Sequence, residues 1–357
     1  MASRTALITS VLLLLLVVPS SSSYVKFDLH GIYTGGRLTH QGTAAGVERT
    51  PSTTEAAVRS RIRLQAALTI TVDQSGKGNY TKIQDAINAV PKNDSRSAGE
   101  VHINIMPGTY SEKVTVNKTG ISLIGTSASS TIVTWSGRWT SEDSATIHML
   151  PCVSDFVARN ITFQNTYGPG AQAIAARVSG DKAAFYGCRF VSFQDTILDE
   201  TGRHYYSNCY VEGATDFMFG NGKAFFEKCH LNSTSTNGGA FTAHGREAEA
   251  NKTGYSFVDC NLTGIRVGKS ILGRPWFPYA RVVFARCNMS NAVAPVGWNN
   301  WGHPENERTA FFGQFQCYGE GSRTDARVSW SHNHMSPAEA KPFLTKEDWV
   351  DGKEWIN

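Results

Sequence analysis

Phe185-Tyr-Gly-Cys188-Arg-Phe-Val-Ser-Phe-Gln194-Asp195 is followed, one repeat later, by Tyr206-Ser-Asn-Cys209-Tyr-Val-Glu-Gly-Ala-Thr-Asp216. Both stretches run from aromatic residues through a cysteine into a polar-apolar alternation, and both end on an aspartate seven residues after the cysteine. The same phrase recurs around Asn160, Cys229, Cys260 and Cys287, at uneven steps of which the shortest run from Cys188 to Cys209 and from Cys209 to Cys229. A unit with a floor near twenty residues, period-two alternation and Gly or Asn at its ends predicts a coiled parallel β-solenoid, all-β and right-handed. Equivalent positions on successive turns of such a coil lie one strand spacing apart, about 4.8 Å. Asp195 and Asp216 are therefore expected side by side on one face. A step of nearly the same length back from Gln194 reaches Gln172, which predicts a second glutamine stacked beneath the pair.

The rest of the 357-residue chain bounds the setting. Arg4, the apolar run Val11 to Val18, and Pro19 with the serines to Ser23 have the order of a secretory signal, residues 1–23. Residues 24–66 read as a flexible leader, and 67–357 as one solenoid domain with short flanking helices. No later segment is apolar enough to suggest a membrane span. Seven cysteines are an odd number, and an exported chain could pair some of them or pack them in the core as small hydrophobes. Sequons at Asn79, Asn93, Asn117, Asn160, Asn232, Asn251, Asn261 and Asn288 suit a glycoprotein, with Asn93 and Asn251 the favoured sites and Asn160 expected to point inward. No metal-ligand spacing occurs and the ten histidines are scattered. A net charge of +4 without a basic run or nucleic-acid motif argues against nucleic acid and agrees with a polyanionic extracellular partner.

Serine-based hydrolysis would need an elbow such as GxSxG, and none is present. The chain offers instead Gln194-Asp195-Thr196, Ala214-Thr215-Asp216-Phe217-Met218-Phe219-Gly220 and Leu272-Gly273-Arg274-Pro275-Trp276. Two acids, an arginine and an aromatic set make a compact hydrolytic group. These segments resemble the signatures of the plant-type pectinesterases, or pectin methylesterases, in the form without an inhibitor-like pro-region. Gly108-Thr-Tyr110-Ser-Glu112 resembles that family's GxYxE, Gln172-Ala-Ile-Ala-Ala its QAVAL, Phe193-Gln-Asp-Thr its YQDT and Gly213 to Gly220 its GxVDFIFG, while Leu272 to Trp276 is identical to LGRPW. Ala176, Thr215 and Met218 depart from the usual residues by modest changes of size.

The resemblance implies de-esterification of methylated galacturonan with no cofactor and no metal. Asp216 would be the nucleophile, Asp195 the acid and base, and Gln194 the oxyanion donor with Gln172 beside it. Arg274 would keep Asp216 anionic, and Trp276 and Phe219 would line the sugar cleft, either Phe217 or Phe219 being free to serve only as core. It further implies a secreted cell-wall protein acting as a monomer, with pectin as substrate and a proteinaceous inhibitor as a second partner. Two rivals come from the residues: a glycoside hydrolase on the same coil, since paired carboxylates also cleave glycosidic bonds, and a non-catalytic pectin-binding wall protein. Elsewhere, Tyr110 and Glu112 read as structural and His204 as a loop residue. Ser336-Pro337-Ala-Glu339 predicts a capped turn from Pro337 to Lys341, stopped by Pro342 and packed with Trp349 and Trp355 on the flank.

Overall fold

The computed structural model describes residues 68–91, 101–138 and 144–356, so the expected signal, the leader and the Asn93 sequon lie outside it. Among the described residues 25 short strands form three parallel sheets of ten, seven and eight strands. Each turn of the coil visits the three sheets in succession, as in Arg203–Ser207, Tyr210–Gly213 and Met218–Gly220. Each strand pairs in parallel with its counterpart on the next turn, and all but those at the sheet ends also with the one before. This is a right-handed parallel β-helix. The alternation that signalled strands is the alternation of burial: in Val101–Ile105, Val101, Ile103 and Ile105 point into the core and His102 and Asn104 do not.

One residue turns the chain from the first sheet to the second. Asn160, Gly187, Asn208, Lys228, Asp259, Arg286 and Gln316 all occupy this bend, with φ between 51° and 58°. That left-handed conformation explains why Asn, Asp and Gly are common there. The residue after each bend points inward, and in six consecutive turns it is a cysteine: Cys188, Cys209, Cys229, Cys260, Cys287 and Cys317. Each thiol points at a backbone carbonyl, and none is disulfide-bonded, so the cysteines pack as small hydrophobes.

Cys317 extends the ladder by a rung that the sequence reading passed over. At the other end Asn160 is corrected. It occupies the exposed bend opposite Gly187, and the fully buried Ile161 holds the cysteine position. The repeat there is accordingly one residue shorter than the step from Asn160 to Cys188, as the pairing of Val157 with Ala184 shows.

Beside the thiols runs a column of rings, Phe185, Tyr206, Phe226, Phe257 and Phe284, with centroids 4.9, 4.4, 4.5 and 4.5 Å apart and planes within 15° of parallel. The strand spacing sets this stacking. Such rings each bury a large apolar area, and their column forms much of the core.

Short helices close the flanks. The helix Ile83–Ala89 has no side-chain cap of its own, and Glu112 supplies one by accepting from the Ile83 and Gln84 amides at 3.0 and 3.1 Å. Tyr110 is fully buried and donates to the Met106 carbonyl at 2.8 Å. Ser336 and Glu339 form the expected capping box on Pro337–Ala340. Pro342 does not end the helical path; the chain tightens into a 3₁₀ turn over Lys341–Phe343. Phe343, Trp349 and Val350 then pack on Tyr205, Phe225 and Val283 of the first sheet, and the Trp349 indole donates to the Ala224 carbonyl at 3.0 Å.

His204 is not a loop residue. It lies in the strand Arg203–Ser207, fully buried, with Nδ1 2.8 Å from Asp199 Oδ2 and Nε2 2.8 Å from the Gly180 carbonyl. Both partners only accept, so both ring nitrogens carry protons and the side chain is an imidazolium. Burial opposes that charge, but Asp199 outweighs it and raises the His204 pKa. Tyr206 adds a second donor to Asp199 Oδ2, at 2.8 Å. We expect His204→Ala to lower stability by about 3–5 kcal/mol, because it strands a buried carboxylate. Thermal unfolding measures this. The folded pKa is raised, so the ion pair contributes fully below the unfolded histidine value and its contribution fades as pH rises through the folded one. A wild-type unfolding temperature that held constant through that upper range would contradict the assignment.

Candidate active site

The third sheet carries the site. Its strands Ala176–Val178, Ile197–Asp199, Met218–Gly220, Gly239–His244 and Ser270–Pro275 align Arg177, Leu198, Phe219, Ala243 and Arg274 in one column. Two residues before the second and third of these strands stand Asp195 and Asp216, in the same register on adjacent rungs. Their backbones are joined by the Asp195 amide donating to the Thr215 carbonyl at 3.2 Å. Both acids have left-handed backbones, φ 63° and 48°, a conformation that Asp tolerates better than most residues. The repeat phase had predicted this adjacency.

Gln194 sits at the same bend, and its side chain hydrogen-bonds Asp195. Gln172 keeps the expected register. The Ala173 amide donates to the Gln194 carbonyl at 3.0 Å, the parallel-ladder bond that sets Gln172 opposite Gln194. The one-residue difference from the pairing of Ala176 with Ile197 is absorbed just beyond, where the Thr196 carbonyl accepts from both the Ala175 and the Ala176 amides. Gln172 is exposed at this junction.

Arg274 lies two rungs from Asp216. The residue between them in the column is Ala243, small enough to leave a long side chain room. Gly273 beside it permits close approach of the strands, since a Cβ there would come within 2.2 Å of Thr242 Oγ1. The guanidinium grips Asp216 with both arms: Nε donates to Oδ1 at 2.9 Å, and the terminal Nη2 donates to Oδ2. A bidentate pair of this kind fixes orientation as well as charge.

A face of the guanidinium is stacked on Trp301, its central carbon 3.8 Å from the centre of the ring. Trp301 was not among the expected site residues. Its backbone is left-handed, φ 59°, held by its amide donating to Asn299 Oδ1 at 2.6 Å. The only hint of it in the sequence is a tryptophan followed by Gly302.

The two carboxyls are held at different charge. Burial raises Asp216, which is 6% exposed, and Arg274 pulls it back toward the ionised form. Asp195 is buried too and faces the charge of Asp216; together these raise it to about 7, against weaker pulls from Arg274 and Gln194. The arrangement at neutral pH is one anion clamped by a cation and one acid close to its midpoint. Phe219 leans on Trp276, ring centres 5.8 Å apart, and Trp276 stands 45% exposed at the rim. Phe217 is fully buried in the main core, so the strand sends only Phe219 toward the cleft.

A clamped carboxylate with a half-ionised acid beside it, on the outside of a β-helix, defines a carboxylate-based hydrolase. The chain belongs to the pectinesterase family, whose model matches residues 69–353. A relative from Arabidopsis thaliana bearing the name "Putative pectinesterase 11" is 46% identical over 299 residues, which is 83% of each chain. Pectinesterase QRT1 of the same plant is 39% identical over 304 residues, 80% of this chain and 78% of that one. Among solved structures, the pectin methylesterase from carrot superposes with a TM-score of 0.75 at 30% identity, covering 82% of this chain and 95% of the carrot chain. The Aspergillus niger enzyme follows at 0.72 and 28%, covering 82% and 97%.

Proposed function

We propose that this protein hydrolyses the methyl esters of pectin, releasing methanol and pectate. The observation that carries the reading is the unequal pair: Asp216 held as an anion by Arg274, and Asp195 raised to about 7 on the neighbouring rung. In this reading an Asp216 oxygen attacks the ester carbonyl carbon. Negative charge collects on the carbonyl oxygen, where the Gln194 amide, with Gln172 beside it, donates hydrogen bonds. The bond to the methoxyl oxygen then breaks as Asp195 hands it a proton, leaving methanol and an acyl-Asp216. Water next loses a proton to Asp195 and attacks the same carbonyl carbon, which frees Asp216 and yields the carboxylate. Trp276 and Phe219 offer ring faces to the sugars. No step calls for a cofactor.

The domain reading accompanies this function: a signal in 1–23, a leader in 24–66 and one catalytic β-helix in 67–357. The signal-like start and the sequons support a secreted glycoprotein of the cell wall, acting as a monomer and open to a proteinaceous inhibitor. Incubation with methylated galacturonan separates the esterase from the glycoside hydrolase rival. We expect methanol without new reducing ends; reducing ends without methanol would favour the rival, and neither product would favour a binding protein.

A further inference from the structure

A second cluster of charge lies at the far edge of the third sheet, where each turn of the coil passes back to the first. Lys223, Gly254 and Arg281 each open a first-sheet strand, Lys223–Glu227, Gly254–Val258 and Arg281–Ala285, on three successive rungs. The middle position has no side chain. A Cβ on Gly254 would lie 3.0 Å from both Arg281 Cδ and Trp349 Cζ2, so the arginine stem and the indole close over the glycine. From the other side, Lys223 Nζ stands 5.2 Å from the centre of the same ring. Lys223 and Arg281 are half-buried, and Lys252, exposed on the loop that leads into Gly254, adds a third cation.

None of the three has an acid to itself. Among the described residues the Arg281 guanidinium and the Lys252 ammonium have no hydrogen-bond or ion-pair partner, and Lys223 has only the indole face. Burial lowers the Lys223 pKa, and the neighbouring Arg203, Lys252 and Arg281 charges lower it further; burial and the Arg246 charge bring Arg281 down to about 10. Asp351 is the acid that favours charge on Lys223, and Arg203 already holds that carboxylate at 3.3 Å. Like charges in one recess are costly unless an anion is set among them. We propose that Lys223, Arg281 and Lys252 form a binding site for an oxyanion, a phosphate or the carboxylate of a uronic acid, seated over Gly254 between the two half-buried cations. Arg281 offers a planar fork of donors and Lys223 a point charge, two complementary ways of holding such a group. Asp216 precedes the strand Met218–Gly220 and Lys223 follows it, so the site is separate from the acid pair and does not depend on the esterase reading.

Titration calorimetry at constant ionic strength tests this with two probes, inorganic phosphate and trigalacturonate, on the wild type and on a Lys223→Gln, Arg281→Gln double variant. At least one probe should bind the wild type and lose at least about tenfold in affinity in the double variant, the worth of hydrogen bonds to charged groups. Trigalacturonate can also enter the cleft, so for it only the binding that the variant loses counts. Loss of phosphate binding alone identifies a small free anion as the ligand, loss of trigalacturonate binding alone a sugar carboxylate, and loss of both an oxyanion site that accepts either. Lys252→Gln, on an exposed loop where folding is not at stake, should weaken the same binding roughly twofold to fivefold. Methanol release from methylated galacturonan should not differ between the wild type and these variants. Affinity for both probes unchanged in either variant, or no binding of either probe to the wild type, would overturn the site and leave the reading of the acid pair as it stands.

Discussion

Replacing Asp216 with asparagine is expected to reduce methanol release by at least about a thousandfold, because an amide cannot form the acyl intermediate. Asparagine is the informative substitution. The Asp216 backbone is left-handed, φ 48°, which asparagine tolerates and alanine adopts at a cost of roughly 1–2 kcal/mol. Asp216→Ala should be as inactive, yet it also removes the partner that holds the Arg274 guanidinium by two hydrogen bonds. Comparing the two separates loss of the nucleophile from loss of local order. The unfolding midpoint of the asparagine variant should stay near that of the wild type. Methanol release at a tenth of the wild-type rate or more, from a folded Asp216→Asn protein, would remove this residue from the proposed role.

Asp195→Asn should cost roughly a hundredfold to ten-thousandfold in kcat, the usual worth of a positioned acid. Its pH dependence is the sharper readout. Methanol can depart only if Asp195 holds a proton, and burial together with the Asp216 charge puts its midpoint at about 7. The wild-type rate of ester cleavage should therefore decline as pH rises through that point. The residual activity of Asp195→Asn should lack that limb, since an amide does not titrate. A limb near neutrality that survives in the variant would assign it to another group. Because the two acids interact, the wild-type profile reports a value belonging to the pair, and the variant is needed to divide it.

Both predictions concern residues that a count along the chain could find. The bend before each inward cysteine, and the bend that carries each aspartate, repeat with the coil, so positions sharing a phase become neighbours once strands stack. His204 shows where counting ends. Its sequence context, Gly202-Arg-His204-Tyr-Tyr206, says nothing about an aspartate five residues earlier on a strand of a different sheet. Trp301 was equally hidden, since its place over Arg274 depends on a left-handed backbone far along the chain from the strand that supplies the arginine.

Sequence by itself determined the architecture and the acid pair. Period-two alternation within a short, recurring unit admits one economical way to bury its apolar face, a parallel coil, and that coil sets Asp195 against Asp216. The tertiary structure alone decided the bidentate grip and tryptophan stacking of Arg274, and the buried pair of Asp199 and His204. The reason is physical: alternation and repeat length are local properties of a strand and its bend, whereas register between rungs, and the contacts a long side chain makes across them, depend on loop lengths and packing that no single repeat contains.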